Sequence, residues 1–199
     1  MIITSIELSD VVYDDLSSPN AALLLASHTI DNTTKLVWCN WLEIDEHWQD
    51  KITLNALAKH YKFDSNHVAF VAAEALDASN SEQQLLLTCI HQIQQYIQGL
   101  RCDFDLPIDI SLGTDFQRRV WHALQGIGFG QTISYATLAQ RVGSPKGFRA
   151  VAQANSKNPF SVIIPCHRVI SSDGKLGGYT GGLDKKEYLL ALEGAEYRP

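Results

Sequence analysis

The residues best suited to chemistry are Cys166, His167 and Arg168, which follow Pro165 in the last fifth of the chain. The run 161–164 before the proline is Ser-Val-Ile-Ile, and this β-branched pattern predicts a short buried strand. Proline ends a strand because it lacks the N–H that the ladder needs. The thiol would therefore sit where the chain leaves the core, beside groups of the kind that lower a thiol pKa. This arrangement favours a nucleophilic cysteine.

A purely structural cysteine is the alternative on these residues alone. Most cysteines behave as small buried hydrophobes. Sequence adjacency does not put the imidazole on the sulfur, because catalytic partners are neighbours in space. The glycine-rich stretch 176–182 adds to the chemical interpretation, since it predicts a wall where the backbone approaches a bound group. As a phosphate cradle it matches poorly, because the Lys-Ser/Thr pair that follows such loops is missing.

A final helix is predicted after the glycine-rich stretch. Asp184 and Glu187 have the spacing of a capping pattern, and leucines follow at 189, 190 and 192. The helix is expected to end at Glu193, before Gly194. A charged residue there is usually solvated, but a buried glutamate could orient an imidazole.

Two helices are predicted ahead of the cysteine segment. Thr114 and Gln117 form a capping-box pattern before apolar residues at helical spacing, and glycines at 126, 128 and 130 end that helix. Ser134 predicts the cap of a second helix over 135–142, which Gly143 stops.

A third helix is predicted over 145–156, with Ser144 as N-cap and Pro145 in the first helical position. Helix, glycine-containing turn and helix together indicate a helix-turn-helix. The third helix has alanines at 150, 152 and 154, which permit close approach to protein or to a DNA groove. Tight packing inside the domain explains the alanines equally well, but it explains Lys146 and Arg149 less well.

The N-terminal half shows structural patterns and no motif of chemical interest. Strands are predicted over 22–26 and 35–41, a short helix over 55–61, and an amphipathic helix over 81–99. The polar stretch 101–112 predicts a linker. The apolar stripe of the long helix comprises Leu86, Ile90, Ile93, Ile97 and Leu100. Residues interpreted as core are Trp38, Trp41, Trp48 and Cys89.

The charge of the chain is divided unevenly. The net charge of −6 argues against a polyanionic partner. Residues 1–105, however, hold 5 Lys and Arg against 15 Asp and Glu, whereas residues 106–199 hold 11 against 7. This asymmetry indicates a nucleic-acid-binding C-terminal half, with a merely solvated basic face as the alternative.

Apolar runs and cysteine spacing exclude several classes. No run approaches the roughly 20 apolar residues of a membrane span, and no signal-peptide pattern opens the chain. Four scattered cysteines without C-x-x-C pairs indicate neither a disulfide framework nor a zinc site, so a reducing intracellular compartment is expected.

Several motifs in the C-terminal half resemble one family. Pro165-Cys166-His167-Arg168-Val169 is similar to the active-site signature of the O6-alkylguanine-DNA alkyltransferases, also called methylated-DNA–protein-cysteine methyltransferases. The resemblance covers about 113–194. Further matching motifs, in order and at compatible spacing, are Gly113-Thr114-x-Phe116-Gln117-x-x-Val120-Trp121, Gly130-Gln131-Thr132-x-Ser134-Tyr135, Arg149-Ala150-Val151, Asn158-Pro159 and Gly181-Gly182-x-x-x-Lys186-Glu187-x-Leu189-Leu190.

The resemblance implies a catalytic set. Cys166 would accept an alkyl group from O6 of guanine, and also from O4 of thymine, as an activated thiolate. His167 would take the thiol proton through a water, and Glu193 would hold the imidazole. Asn158 would brace the active-site turn, and Tyr135 would donate to the departing guanine ring. The thioether is stable, so each molecule would act once.

The resemblance also implies DNA contacts and a base pocket. The target base must leave the duplex, and Arg149 would fill the space that it vacates. The other residues expected at DNA are Tyr135, Lys146, Ala150, Ala154, Asn155 and Thr180. Residues expected to line the pocket are Val162, Val169, Gly177, Tyr179, Thr180 and Gly181. Binding through the backbone and by deformation predicts little sequence preference.

The chain departs from the family pattern at three places. Ala152 stands where glycine is common, and Gly147-Phe148 replaces a pair of small residues, so both could tune how closely the helix enters the groove. Thr180 stands where serine is frequent, and its methyl group would narrow the pocket.

The fold class implied is α+β. Residues 1–105 are expected to form an α/β ribonuclease-H-like scaffold domain. Residues 106–199 are expected to form a mainly helical winged-helix or helix-turn-helix alkyltransferase domain with the DNA-binding surface and the active site. The implied partner is double-stranded DNA containing O6-alkylguanine, with no cofactor, metal or membrane. A monomer in the cytoplasm is expected, or in the nucleus if the source is a eukaryote.

Three functions compete at this point. The first is a single-turnover DNA alkyltransferase. The second is a non-catalytic sensor of alkylated DNA, which would need Cys166 to be inert. The third is an unrelated thiol hydrolase with a Cys-His pair, which would leave the helix-turn-helix and Arg149 unexplained. Alkyl transfer to the protein distinguishes the first from the others.

Overall fold

A computed structural model describes residues 1–8, 12–13, 16–43, 45–51 and 54–198. The chain has a mixed architecture of α-helices and a small β-sheet, and it folds into two compact units. Unit 1 comprises residues 1–11 and 20–112, and unit 2 comprises residues 12–19 and 113–199. Among the described residues, none of the helices is long and apolar enough to span a bilayer. The same residues contain no cluster of His, Cys, Asp and Glu that could hold a metal ion.

Unit 1 is built on a four-stranded sheet. Its strands are β1 (Ile2–Glu7), β4 (Ala21–Ile30), β5 (Thr33–Glu43) and β6 (Ala69–Phe70), in the order β5-β4-β1-β6. β1 pairs antiparallel with β4 and β4 with β5, whereas β6 runs parallel to β1. The predicted strands at 22–26 and 35–41 are thus confirmed, each within a longer strand.

Helices cover this sheet. They are α1 (Trp48–Lys51), α2 (Leu54–Tyr61) and α3 (Ser81–Ile97). α3 packs against β1, β4 and β5, while Leu57 of α2 lies in a core cluster with alternate residues of β4 such as Leu24. Residues 21–27 are therefore all buried, because β4 is apolar on both of its faces.

Most side chains of unit 1 predicted to be core are buried. Trp41 and Cys89 are buried, and Trp38 and Trp48 pack against the core cluster. Leu86, Ile90, Ile93 and Ile97 form the buried stripe of α3. Leu100 was wrongly included in that stripe. It is 75% exposed, because α3 ends at Ile97 and Gly99 turns the chain with a φ of +69°.

The stretch predicted as a linker is part of unit 1. The Leu36 N–H donates to Pro107 O at 2.8 Å, and the Asp109 N–H donates to Leu36 O at 2.9 Å. The segment therefore lies along β5, and the division between the units falls after Leu112 rather than after residue 105.

The described part of unit 2 consists mainly of four α-helices and short strand pairs. The helices are α4 (Asp115–Gln125), α5 (Tyr135–Arg141), α6 (Phe148–Ser156) and α7 (Leu183–Leu192). The strands are β2 (Val12–Tyr13), β3 (Leu16–Ser17), β7 (Ile133–Ser134) and β8 (Val169–Ile170). β2 pairs antiparallel with β3, and β7 pairs parallel with β8. α4, α5 and α6 pack on one another, and a turn separates α5 from α6.

Two predicted caps are present and two are not. Thr114 and Gln117 form the capping box of α4, and the Ser134 hydroxyl caps α5. α6 begins at Phe148, three residues later than predicted, because residues 144–147 form a turn in which the Gly147 N–H donates to Ser144 O. At α7, Gly182 occupies the N-cap position with a φ of +98°, so Asp184 lies inside the first turn instead of capping it.

Candidate active site

Cys166 lies on a 3-10 turn, Cys166–Arg168, and not at the end of a strand. The predicted strand over 161–164 is wrong, because these residues fold into turns. The Ile164 N–H donates to Phe160 O at 2.9 Å, which curls the segment back on itself. Val162 has a φ of +71°, a strained conformation for a β-branched residue. The β-branched run is thus buried as a compact turn.

The Asn158 side chain holds this turn together. Its amide nitrogen donates to Phe160 O at 3.2 Å and to Ile164 O at 2.8 Å, and it lies 3.2 Å from Cys166 Sγ. Its amide oxygen accepts from the Phe160 N–H at 3.0 Å. One buried amide therefore replaces the hydrogen bonds that a strand partner would supply and also contacts the sulfur.

His167 is buried against Glu193. Nε2 of His167 lies 2.9 Å from Glu193 Oε1, and both side chains are fully buried. Arg168 clamps the same carboxylate, with Nε donating to Oε2 at 2.9 Å and Nη2 donating to Oε1 at 2.8 Å. The Gly130 N–H donates to Oε2 at 3.1 Å. The paired carboxylate fixes Nε2–H as the donor, which leaves Nδ1 as the basic nitrogen.

The protonation states of this group suit proton transfer. Burial raises the pKa of the Cys166 thiol, opposed by the Asn158 amide and the Lys186 ammonium. Burial also lowers the pKa of His167, so its imidazole is neutral at neutral pH. Hydrogen bonds from His167 and Arg168 lower the pKa of Glu193 to about 2 in spite of its burial. A protonated thiol, a neutral imidazole and an ionised carboxylate therefore coexist.

Lys186 is a buried cation beside the thiol. Its Nζ donates to Val169 O at 2.7 Å, to Leu176 O, and to Gly178 O at 3.5 Å. Burial lowers its pKa to about 8, and the Cys166 charge opposes that shift. Lys186 thus links the strand after Cys166 to the glycine-rich stretch and places positive charge near the sulfur.

A pocket of about 360 Å³ opens over Cys166. α6 forms one wall and the glycine-rich stretch the other. The residues that line the pocket are Tyr135, Ala152, Asn155, Ser156, Cys166, Ser171, Gly177, Gly178, Tyr179 and Thr180. Predicted pocket residues Gly177, Tyr179 and Thr180 are in this lining. Val162 and Val169 are buried and do not line the pocket, and Gly181 is absent from the lining but follows Thr180 in the chain.

Two hydrogen bonds join the walls of the pocket. Thr180 Oγ1 donates to Ser156 O at 2.9 Å, which ties the glycine-rich stretch to the end of α6. The Tyr135 hydroxyl donates to Gly178 O at 3.1 Å. Burial raises the pKa of Tyr135, and a negative charge on Cys166 would raise it further, so the phenol keeps its proton.

The predicted DNA-contacting residues of the α6 region divide into two groups. Lys146, Arg149 and Ala150 are exposed. Ala154 and Asn155 are buried, and so they do not share that exposed surface. The Ala154 carbonyl accepts from Trp121 Nε1 at 2.9 Å, and Asn155 lines the pocket. The alanines of α6 therefore serve packing at 154 and the pocket wall at 152.

Sequence reasoning named Arg168 only as a cationic neighbour of the thiol, and it assigned no role to Lys186. Both are long cationic side chains that the fold buries, with 6% and 0% exposure. The available signal was their position, because Arg168 is two residues from the cysteine and Lys186 falls on the apolar face of the last helix with Leu189 and Leu190.

Comparison with known proteins assigns this arrangement to a family. Residues 115–195 match the profile of the 6-O-methylguanine DNA methyltransferase DNA-binding domain. A methylated-DNA–protein-cysteine methyltransferase of Mycolicibacterium paratuberculosis is 50% identical over 104 residues, which span 52% of this chain and 62% of that protein. The protein of the same name from Methanosarcina acetivorans is 43% identical over 122 residues, spanning 61% of this chain and 78% of the relative.

Solved structures extend the likeness to the whole chain. The crystal structure of Mycobacterium tuberculosis OGT in complex with DNA is 31% identical, with a TM-score of 0.67 over 98% of this chain and 93% of that chain. The O6-methylguanine-DNA methyltransferase from Pyrococcus kodakaraensis is 20% identical, with a TM-score of 0.62 over 97% and 99%, and shares the fold. The chain is more than 30% identical to the Methanosarcina acetivorans and Mycobacterium tuberculosis proteins and covers more than two thirds of each of them. The chain therefore belongs to the methylated-DNA–protein-cysteine methyltransferase family.

Proposed function

We propose that this chain repairs alkylated DNA by direct reversal, moving the alkyl group from O6 of guanine to its own Cys166. The observation that carries the proposal is the Cys166 thiol in a base-sized pocket, joined to Asn158 and next to the His167–Glu193 pair. The relatives named as methylated-DNA–protein-cysteine methyltransferases support this assignment. O4-alkylthymine is proposed as a second substrate.

The reaction begins with removal of the thiol proton. His167 Nδ1 is buried and has no hydrogen-bond partner among the described residues, so it is available to accept that proton through a water. Glu193 keeps the imidazole in the required tautomer and stabilises the imidazolium that forms. The Asn158 amide and the Lys186 ammonium stabilise the thiolate.

The alkyl transfer is a direct displacement. The thiolate attacks the alkyl carbon, the S–C bond forms, and the bond from carbon to O6 breaks with its electron pair going to the guanine. Tyr135 offsets the negative charge that develops on the ring, by donating its phenolic hydrogen to the base instead of to Gly178 O. The thioether is not hydrolysed, so each molecule reacts once.

The target base must be extruded from the duplex before it reaches this pocket. In the proposed complex the exposed face of α6 lies in the minor groove, and Arg149 occupies the space left by the extruded nucleotide. Lys146 and Ala150 would contact the groove, and Thr180 would contact DNA at the pocket mouth.

The finer description of the fold is part of the proposal. The order β5-β4-β1-β6, with three antiparallel strands followed by one parallel to β1, supports a ribonuclease-H-like unit 1 that acts as a scaffold. α5 and α6 support a helix-turn-helix of the winged-helix type in unit 2. A reducing compartment such as the cytoplasm fits, because Cys166 must be a free thiol to react.

Intact-protein mass spectrometry tests the proposal. After incubation with excess duplex DNA containing O6-methylguanine, the mass should rise by one CH₂ and the modification should map to Cys166. Cys166→Ala should bind DNA without gaining mass. Cys102→Ala is the matched control, because Cys102 is exposed and would react first in a non-specific alkylation. Tight lesion binding without a mass gain would favour the damage sensor instead.

A further inference from the structure

Phe148 is an exposed aromatic residue in the region proposed to meet DNA. Among the described residues, the large hydrophobic side chains that stay exposed are Phe70, Leu100, Phe148 and Leu183. Phe148 is 50% exposed and is the first residue of α6. Exposure of a phenyl ring to water is unfavourable, so an apolar contact that covers the ring on binding would make the free energy of binding more favourable.

Phe148 shares a helix face with residues that line the base pocket. In a helix, residues four and seven positions apart share one face. Phe148 is therefore in line with Ala152 and Asn155, which both line the pocket. Because side chains lean toward the helix N-terminus, the ring extends beyond this lining toward the start of α6.

Phe148 also contacts the residue proposed to replace the extruded base. The Arg149 guanidinium lies over the Phe148 ring, 5.8 Å from its centroid. A guanidinium in this position is attracted by the π-face and loses part of its freedom. Arg149 and Phe148 thus form one exposed unit, a planar cation beside an aromatic ring.

We propose that Phe148 stacks on the base next to the extruded nucleotide, so that Phe148 and Arg149 together fill the gap in the duplex. This inference rests on the proposed function. Extrusion breaks base stacking, and minor-groove proteins commonly offset that cost with an inserted apolar side chain. The contact is made only with duplex DNA, since a free base entering the pocket leaves no gap.

Single-turnover rates of methyl transfer test this role. Phe148→Ala should slow transfer from an O6-methylguanine duplex by about tenfold, within the range for losing one base–aromatic stack. Its reaction with the free base O6-benzylguanine should match that of the wild type. Phe148→Trp should keep the duplex rate, whereas Phe148→Leu should lose most of it, because leucine is apolar but has no ring to stack. Phe70→Ala is the matched control, an exposed phenylalanine of unit 1.

The outcomes separate this inference from the proposed function. A wild-type duplex rate in Phe148→Ala, or an equal loss on duplex and free base, would overturn the stacking role while Cys166 alkylation by the wild type still stands. Full activity of Phe148→Leu would show that an apolar contact without stacking is sufficient, and this would also overturn the stacking role. Absence of transfer in the wild type would remove both proposals together.

Discussion

The Cys166 thiol depends on its neighbours for reactivity. It is 6% exposed, and burial by itself raises its pKa, which makes an isolated thiol in this position a poor nucleophile. Asn158 and Lys186 act in the opposite direction, and His167 is held neutral so that it can accept a proton. Each of these contributions can be removed separately.

Replacing Lys186 by Met should make the thiol less acidic. Methionine keeps the approximate length of the side chain but removes the ammonium that lowers the Cys166 pKa. The rate of Cys166 carboxamidomethylation by iodoacetamide, followed against pH, should shift to higher pH and be several-fold slower at pH 8. Lys185→Met is the control, because Lys185 is buried next to it but pairs with Asp184 at 3.3 Å. Identical pH profiles for the two variants would contradict the hypothesis that the Lys186 ammonium lowers the pKa of Cys166.

Replacing Glu193 by Gln should change how stability depends on pH. The pKa of Glu193 is lowered from 4.5 to about 2, so its ionised form stabilises the fold above pH 4.5. That contribution, on the order of 3 kcal/mol, is lost as the pH falls from 4.5 toward 2. Urea unfolding should show Glu193→Gln less stable than wild type at pH 7, with a smaller further loss between pH 5 and 3.

The exposed Glu196→Gln variant is the control for this experiment, and it should behave like the wild type. If the wild type and Glu193→Gln lost the same unfolding free energy over this pH range, the stabilising role of the ionised Glu193 carboxylate would be contradicted.

At the scale of elements, local capping positions the helix that begins unit 2. Thr114 Oγ1 accepts from the Gln117 N–H at 3.3 Å, and Gln117 Oε1 accepts from the Thr114 N–H at 2.8 Å. Trp121, later in α4, reaches the Ala154 carbonyl of α6. The cap therefore stabilises the helix against which α5 and α6 pack.

Thr114→Ala should lower the free energy of unfolding by about 1 kcal/mol, the usual cost of losing an N-cap. Urea denaturation followed by circular dichroism measures it. Thr88→Ala, at a half-buried position inside α3, should cost little, because alanine favours a helix interior. A Thr114→Ala variant as stable as the wild type would mean that tertiary packing alone fixes α4.

At the scale of the whole molecule, the charge of the chain opposes the partner that unit 2 is proposed to bind. The net charge is −6, and the positive excess is confined to residues 106–199. Attraction to phosphates must therefore come from a limited patch, including Lys146 and Arg149. Repulsion between DNA and the acidic half is expected to keep non-specific binding weak.

The affinity for duplex DNA should fall with salt as expected for few phosphate contacts. For about three contacts the slope of log K against log salt is about −2.7, a loss of roughly 40-fold between 50 and 200 mM. Fluorescence anisotropy with the Cys166→Ala variant measures this without alkylation. A slope near zero would exclude phosphate contacts as the source of affinity.

Local sequence was sufficient for several features that depend on residues within one helical turn, although not for the caps predicted at Ser144 and Asp184. The capping box at Thr114, the Ser134 cap and the α3 stripe up to Ile97 are predicted correctly, because their hydrogen bonds and periodicity are local. The active-site motif likewise indicated the family that the comparisons support.

Only the tertiary structure decided what distant residues do to one another. The β-branched run 161–164 became a turn because the Asn158 amide satisfies its backbone, and a side chain in that role overrides β-propensity. Arg168 on Glu193 and Lys186 on three carbonyls join segments 8 to 25 residues apart. Burying such charges is favourable only where the fold brings their partners together. A local sequence pattern does not predict these pairings, because the partners are distant in the chain.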